Sequence, residues 1–350
     1  MGIECTILGA TGAVGQRFVQ LLENHPWFEP VRFCASPASA GMLYGEQVER
    51  SGGRVPERFA GHTLCAPDPT ADPTPLVFSA LDADVAIEVE EDFARAGSLV
   101  VSNASAHRMD PLVPLMVPEV NADHIELLTR QRDERGYPGV GGLLTNPNCS
   151  TIGLTLALAA LRVHGLQRLH VVTMQALSGA GLKGPSAQQM LDNILPFIPG
   201  EEEKLGAETC KIFGELIDGS QIRPMDVAVS AQCNRVGVID GHTGCVSLEL
   251  QSKVSREELI EGWQAFRSVP QKLDLPSAPK QPTIYHTALD APQPRLHRGL
   301  GRGMSTSIGR LQTCAVLDWR FVFLSHNTLR GAAGGAVLVA ELAKARGLLG

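Results

Sequence analysis

The sequence predicts an α/β protein in which a doubly wound parallel sheet is followed by an α+β domain with a mixed, largely antiparallel sheet. Three observations carry that prediction. A short apolar run at 3–8 meets a glycine-rich turn and then a stretch, 13–23, with apolar residues at helical spacing. Compact strand-like runs follow at 31–34, 76–78 and 99–101, the last two separated by the helix-patterned 84–95, an alternation that builds parallel sheets covered by helices. Beyond residue 150 the texture changes: longer strand-like stretches at 169–177, 226–233 and 236–250 are interleaved with helices near 186–195 and 255–266.

The first run ends on Gly9-Ala-Thr-Gly12-Ala-Val-Gly15, which opens the first helix. Glycines at that spacing permit a tight turn, close approach of backbone to a pyrophosphate and close strand–helix packing, while the helix N-terminus supplies N–H groups and a positive dipole end. The turn reads as a Rossmann-type dinucleotide site. At the end of the second strand, where the ribose is read, stands Cys34-Ala-Ser-Pro-Ala-Ser39-Ala-Gly, with no Asp or Glu to accept from a 2′-hydroxyl. Hydroxyls of Ser36 and Ser39 suit a 2′-phosphate instead, which favours NADP over NAD.

Loop residues crowd Thr145-Asn-Pro-Asn148, and an alanine- and leucine-rich helix at 151–163 follows. The domain boundary is placed here. Residues 1–148 form the dinucleotide-binding domain, completed by a C-terminal helix within 327–350, and 149–326 form the catalytic and oligomerisation domain. The proline-rich stretch 270–294 reads as a wandering loop.

At 350 residues and 44% hydrophobic content there is material for two cores. The net charge of −7 is spread along the chain, and no Lys/Arg run offers an electrostatic footprint for nucleic acid. No stretch gives about 18 uninterrupted apolar residues, and the N-terminus lacks a signal-peptide pattern, so no membrane association and a cytoplasmic location are expected. Eight scattered cysteines without framework spacing read as reduced thiols, and no metal site is expected.

One of those thiols stands apart. Cys149, in Asn146-Pro-Asn-Cys-Ser-Thr151, precedes the apolar helix, where orphan N–H groups and the dipole are expected to lower its pKa. Cysteine that simply packs is the bland alternative. His242, in Arg235-Val-Gly-Val-Ile-Asp-Gly-His-Thr-Gly244, is the candidate acid/base. Arg235 is placed seven residues away on the same strand, so a bend at Gly237 is needed to bring the two side chains to one face; its guanidinium suits a carboxylate.

The Gly9–Gly15 turn, Asn146-Pro-Asn-Cys-Ser-Thr, Gln175-Ala-Leu-Ser-Gly-Ala-Gly181, Pro199-Gly-Glu-Glu-Glu-Lys204, Arg235…Asp-Gly-His-Thr and Asn327-Thr-Leu-Arg-Gly-Ala-Ala-Gly334 occur in order over nearly the whole chain. Together they resemble aspartate-semialdehyde dehydrogenase, closer to its archaeal and fungal branch than to the enterobacterial one. The resemblance implies NADP-dependent reductive dephosphorylation of L-aspartyl-4-phosphate to L-aspartate 4-semialdehyde through a Cys149 thioester, with inorganic phosphate released. It implies His242 as acid/base, and Arg108, Asn148, Gln175, Glu201, Lys204 and Arg235 as substrate and phosphate ligands. Among these, Arg235 would take the α-carboxylate, Glu201 the amino group, Gln175 the carbonyl region, and Arg108 with Lys204 the phosphate. It implies Gly9, Thr11, Gly12, Ala13, Val14, Ser36, Ser39, Ser79, Ser178, Gly179 and Asn327 around NADP (NADPH), and a homodimer or homotetramer.

The chain departs from the family pattern at Ala38, where an Arg often stands beside the serines, at Gly237 in place of a proline, and at His326 in place of an Asp. Three competing readings share parts of this pattern: malonyl-CoA reductase, with a CoA thioester as acyl donor; N-acetyl-glutamyl-phosphate reductase; and a non-catalytic cofactor-binding paralogue.

Overall fold

The computed structural model describes residues 2–182 and 184–349. Its first half contains β1 (Ile3–Leu8), α1 (Ala13–Leu22), β2 (Phe28–Cys34), α2 (Tyr44–Arg50), β3 (Leu76–Ser79), α3 (Ala83–Arg95), β4 (Leu99–Ser102), the short α4 (Pro118–Asn121), α5 (Leu127–Arg135) and β5 (Gly142–Thr145). The strands form one parallel sheet in the order β2-β1-β3-β4-β5. Because strand side chains alternate, successive residues enter different cores. Cys5, Ile7, Leu76, Phe78, Leu99 and Val101 pack with Phe18, Val19 and Leu22 of α1. Leu8, Val77, Val100 and Leu143 meet Phe93 and Ala94 of α3 on the other side. Strands buried on both faces read as unbroken apolar runs, which is why β3, β4 and β5 show no alternation.

The registers align the strand ends: Leu8 pairs with Cys34 and Ser79, Ser79 with Ser102, and Ser102 with Thr145. Everything that follows those ends therefore emerges along one edge. Ligands of doubly wound sheets bind outside such a carboxyl edge.

The second half contains α6 (Cys149–Ala159), β6 (Leu166–Gln175), α7 (Ala187–Met190), α8 (Glu201–Ile212), β7 (Glu215–Ile217), β8 (Gln221–Arg223), β9 (Ala228–Arg235), β10 (His242–Leu250), α9 (Arg256–Ala265), α10 (Val269–Lys272), β11 (Thr283–His286), α11 (Pro294–His297), β12 (Thr306–Thr313) and β13 (Trp319–Ser325). A π-helical segment, Leu329–Ala333, leads into α12 (Gly334–Ala345). The main sheet runs β11-β12-β13-β10-β6-β9. Its three central pairings are antiparallel and its two outer ones parallel, so it is mixed as expected. One face buries Leu154, Ala157 and Leu158 of α6, Leu205 of α8, and Leu259 and Trp263 of α9 against Val171, Val246, Leu248, Phe321 and Phe323. Helix α6 also packs Ile152 and Leu156 against Leu115, Val117 and Ile212, which explains its all-round apolar sequence.

Four readings need correction. The helix expected at 186–195 stops at Met190, and Leu195 instead pairs with Arg235 through two backbone bonds of 3.0 and 2.8 Å. Pro196 and Pro199 disfavour helix before them, and Leu191, Ile194 and Phe197 are exposed, so a helix would have had no apolar face to bury. The strand expected at 236–250 begins only at His242, after a turn containing Gly241 at φ 103°. The 270–294 stretch is no simple loop: it contributes α10 and the edge strand β11. The C-terminal helix expected within 327–350 starts as the π segment, broken at Ala332 (φ −146°, ψ −105°). From Ala333 onward it does pack into the core of the first sheet with β1, β3 and α1. Gly350, the last residue of that expected segment, lies outside the described residues. Among the described residues no helix is long and apolar enough to cross a membrane.

Candidate active site

The glycine turn has the tightness its sequence promised. Gly9 sits at φ 71°, and a Cβ there would lie 2.6 Å from the Ala80 carbonyl oxygen. A Cβ on Gly15 would fall 2.1 Å from the Gly9 oxygen, so only glycine lets α1 start this close to β1. Gly12 is the N-cap of α1, no side chain caps the helix, and Thr11, Ala13 and Val14 line its start. An uncapped helix N-terminus at the carboxyl edge of a parallel sheet fits a dinucleotide pyrophosphate. Ser36 and Ser39 stand just beyond β2 with hydroxyls 3.5 Å apart and solvent-facing. Ser79 ends β3 and is fully buried beside Glu90 of α3.

Cys149 is the first residue of α6, and Asn148 is its cap, accepting from the Ser150 and Thr151 N–H groups at 2.9 and 3.4 Å. The thiol lies 3.2 Å from His242 Nε2. His242 and Arg235 are on different strands, separated in the sheet by β6. Ala176, one residue past β6, ties them together: its N–H donates to His242 Nδ1 at 2.9 Å, and its carbonyl accepts from Arg235 Nη1 at 2.8 Å. This corrects the same-strand placement and removes the need for a bend at Gly237. Gly179 roofs both, since a Cβ there would lie 2.8 Å from His242 Cε1 and 3.0 Å from Arg235 Nη1. Asn327 closes the same corner by accepting from Gly241 N–H and donating to Ser178 Oγ, both at 2.8 Å.

Because Nδ1 accepts the Ala176 N–H, the neutral His242 ring carries its proton on Nε2, facing the sulfur. It is placed as a donor. Burial, with Arg235 and His326 adding to it, pushes His242 down to about 3, so the ring is neutral at physiological pH. The expected lowering of Cys149 does not hold. The thiol is pushed up to about 12, because burial and then the Glu201 carboxylate outweigh the pull of Arg108, Arg235 and the Ser150 N–H.

Helix α8 arrays the charges. Glu201 accepts from Asn148 Nδ2 at 2.9 Å and from Gln175 Nε2 at 3.2 Å, and Lys204 Nζ is 3.4 Å from the same carboxylate. Arg108 bonds Glu208 through Nη1 at 3.0 Å and the Asn103 carbonyl through Nη2 at 2.7 Å, while its Nε is buried without a partner. Arg108 and Lys204 thus turn toward different carboxylates.

Several residues here carried no sequence signal of their own. Glu208 also accepts the Asn148 N–H at 2.7 Å, and Lys211 donates to three carbonyls near Arg108. Gly331, in the π segment, presses on Cys149: a Cβ there would lie 2.7 Å from the cysteine Cβ. The π segment packs against both α1 and α6, and so joins the glycine turn to the nucleophile. A buried two-pronged ion pair, Arg330 with Glu119 at 3.0 and 2.6 Å, holds it.

The chain is similar to known proteins along nearly its whole length. Residues 4–128 match the family model "Semialdehyde dehydrogenase, NAD binding domain", and residues 158–330 match "Semialdehyde dehydrogenase, dimerisation domain". The chain is 45% identical to the aspartate-semialdehyde dehydrogenase of Methanothermobacter thermautotrophicus, covering 97% of this chain and 98% of that one. It is 43% identical to that of Schizosaccharomyces pombe, with 98% of each covered. The crystal structure of the Candida albicans enzyme with NADP superimposes with a TM-score of 0.90 at 39% identity, covering 98% and 99% of the two chains.

Proposed function

The chain belongs to the aspartate-semialdehyde dehydrogenase family, and on that premise we propose that it carries out NADP-dependent reductive dephosphorylation of L-aspartyl-4-phosphate to L-aspartate 4-semialdehyde, in lysine, methionine and threonine biosynthesis. The observation that carries the reading is the thiol of Cys149, at a helix start and 3.2 Å from His242 Nε2.

In this reading the Cys149 sulfur attacks the acyl carbon, the C–O bond to phosphate breaks, the thiol proton leaves with the departing phosphate as HPO4(2−), and a thioester remains on the enzyme. Arg235 holds the α-carboxylate, Glu201 the amino group and Gln175 the carbonyl region, while Arg108 and Lys204 receive the phosphate. An ammonium group paired with Glu201 cancels that carboxylate's upward push on the thiol, so substrate binding itself favours the thiolate. The Nε2–H of His242 stabilises the thiolate and then the carbonyl oxygen. General-base work at Nε2 needs the other tautomer, whose Nδ1–H would face the Ala176 N–H. NADPH, when bound, supplies the hydride. Reduction of the thioester gives a hemithioacetal, which collapses to the aldehyde and frees Cys149.

The dinucleotide rests on Gly9, Thr11, Gly12, Ala13 and Val14, with Ser36 and Ser39 at its 2′-phosphate and Ser178, Gly179 and Asn327 at its nicotinamide end. The domain division at 148/149, with the C-terminal helix completing the first domain, belongs to the same reading, as do a homodimeric or homotetrameric state and a cytoplasmic location. Malonyl-CoA reductase, N-acetyl-glutamyl-phosphate reductase and a catalytically silent paralogue are not favoured by these relatives.

The test is reduction of NADP by purified protein with L-aspartate semialdehyde, with and without phosphate, beside NAD and a Cys149→Ala variant. Phosphate-dependent turnover that vanishes in the variant supports the proposal. Turnover with malonate semialdehyde and CoA instead, or none with any substrate, overturns it.

A further inference from the structure

Beyond the ligands just named, α8 carries two buried charged residues whose bonds run to the scaffold of the site. Glu208 is 2% exposed and Lys211 5%. Burying such groups is costly unless their hydrogen bonds are made, and here they are made in full. Glu208 Oε1 accepts from Arg108 Nη1 at 3.0 Å, and Oε2 accepts the Asn148 N–H at 2.7 Å, one residue before the nucleophile. Lys211 Nζ has three donors and uses all three, on the carbonyls of Arg108 (2.7 Å), Asp110 (2.8 Å) and Val113 (2.9 Å). Nothing in these bonds requires a substrate. They connect the Arg108 loop, which follows β4, to the Cys149 loop, which follows β5, through one rigid helix.

We propose that Glu208 and Lys211 are positioning residues that fix the phosphate-binding Arg108 relative to Cys149. Glu208 sets the guanidinium, and Lys211 sets the backbone from which it projects. The inference rests on the reading of Arg108 as a phosphate ligand. Without Glu208, Arg108 retains only the Asn103 carbonyl as an anchor for its side chain. The same helix presents Glu201 and Lys204 at its start, so phosphate and amino-group sites share one ruler.

The informative variant is Glu208→Gln. Its amide oxygen can keep the Asn148 N–H, but its NH2 faces Arg108 donor to donor, so only the Arg108 tie is broken. The readouts are the KM for phosphate and for L-aspartate semialdehyde, and the phosphate concentration giving half-protection of Cys149 from iodoacetamide. Loss of one charge-assisted bond to a ligand-holding group is expected to raise the phosphate KM and the half-protection concentration by about tenfold or more, with the semialdehyde KM within about twofold of wild type. Lys211→Met is expected to move the same two quantities in the same direction, and if it does not fold, Glu208→Gln decides. A general loosening of the fold would raise both KM values together, and that result overturns the proposal, as does an unchanged phosphate KM in Glu208→Gln. Arg108→Gln run alongside separates the two layers. If it weakens phosphate while Glu208→Gln does not, positioning alone is refuted; if it too leaves phosphate untouched, the assignment of Arg108 falls.

Discussion

Replacing Gly331 by alanine adds one methyl group where there is no room for it. The new Cβ would stand 2.7 Å from Cys149 Cβ, 3.0 Å from its Cα and 3.3 Å from its carbonyl oxygen, against ordinary contacts of 3.4–4 Å. Something must move by about 1 Å, and neither side gives easily. Cys149 is fixed by the Asn148 cap and by the all-round burial of α6. Gly331 is fixed by its N–H bond to the His326 carbonyl at 2.9 Å and by the Arg330–Glu119 pair next to it. Overpacking of this kind costs about 1–3 kcal/mol, and a shift of about 1 Å at the reacting atom costs about a hundredfold in rate. The 3.2 Å approach of Sγ to His242 Nε2 would be the first casualty. Gly331 has an ordinary backbone conformation, so alanine introduces no torsional strain and the effect isolates the contact. Steady-state kcat/KM, the alkylation rate of Cys149 and a thermal melt should be measured on Gly331→Ala. We expect kcat/KM to fall about a hundredfold with a melting point lowered by several degrees. Wild-type kcat/KM and alkylation would show that the helix start yields, and the argument that the π segment sets the nucleophile would be wrong.

Two further outcomes follow from the electrostatics. His242 and His326 are held down to about 3 and about 4, below the ordinary 6.5, by burial first of all. The unfolded chain therefore takes up protons that the native one refuses, so stability is full above pH 6.5 and falls as the pH drops toward 4, by up to about 1.4 kcal/mol per pH unit for each group. The melting curve of His242→Asn should decline less steeply over that window, and parallel curves for variant and wild type would remove His242 from the account. At the ribose end, Ala38→Arg adds a guanidinium to the exposed turn between Ser36 and Ser39; a charge-assisted bond of about 1.5–3 kcal/mol should raise the NADP-over-NAD ratio of kcat/KM about ten- to a hundredfold. An unchanged ratio would mean that the 2′-phosphate lies elsewhere.

The start of the first sheet was legible because its signals are local, whereas β5 (Gly142–Thr145), a four-residue run beside the loop-rich 145–148, was not singled out. An apolar run, glycines and a helical period follow one another within residues 3–22, and β1 and α1 lie where that pattern puts them. Cys149 and His242 were legible from motif context, and the structure sets them in contact. What the sequence hid depends on distance along the chain. β12 buries the polar Thr306 and Ser307 beside Ile308 and then runs into exposed Arg310, Gln312 and Thr313, so it lacks a clean apolar period. Glu208 and Lys211 look like any charged helix residues until the loops that they hold, about 60 and 100 positions earlier, are folded against them. The cysteine pKa failed for the same reason: the helix start is local, whereas the burial and the Glu201 carboxylate that outweigh it come from the assembled cleft.

The wall against the nucleophile is made long after the nucleophile itself. Asn146, beside Cys149, and Gly331 are 185 residues apart, and at translation speeds of roughly 5–20 residues per second that gap lasts roughly 10–40 s. During that interval the first sheet also lacks α12, which fills one of its faces. Assembly of the site is thus tied to synthesis of a segment far downstream of the nucleophile. A nascent or truncated chain ending before Leu329 holds the cysteine without the surface that orients it, so partial products of synthesis carry an unbuilt site in place of a reactive one.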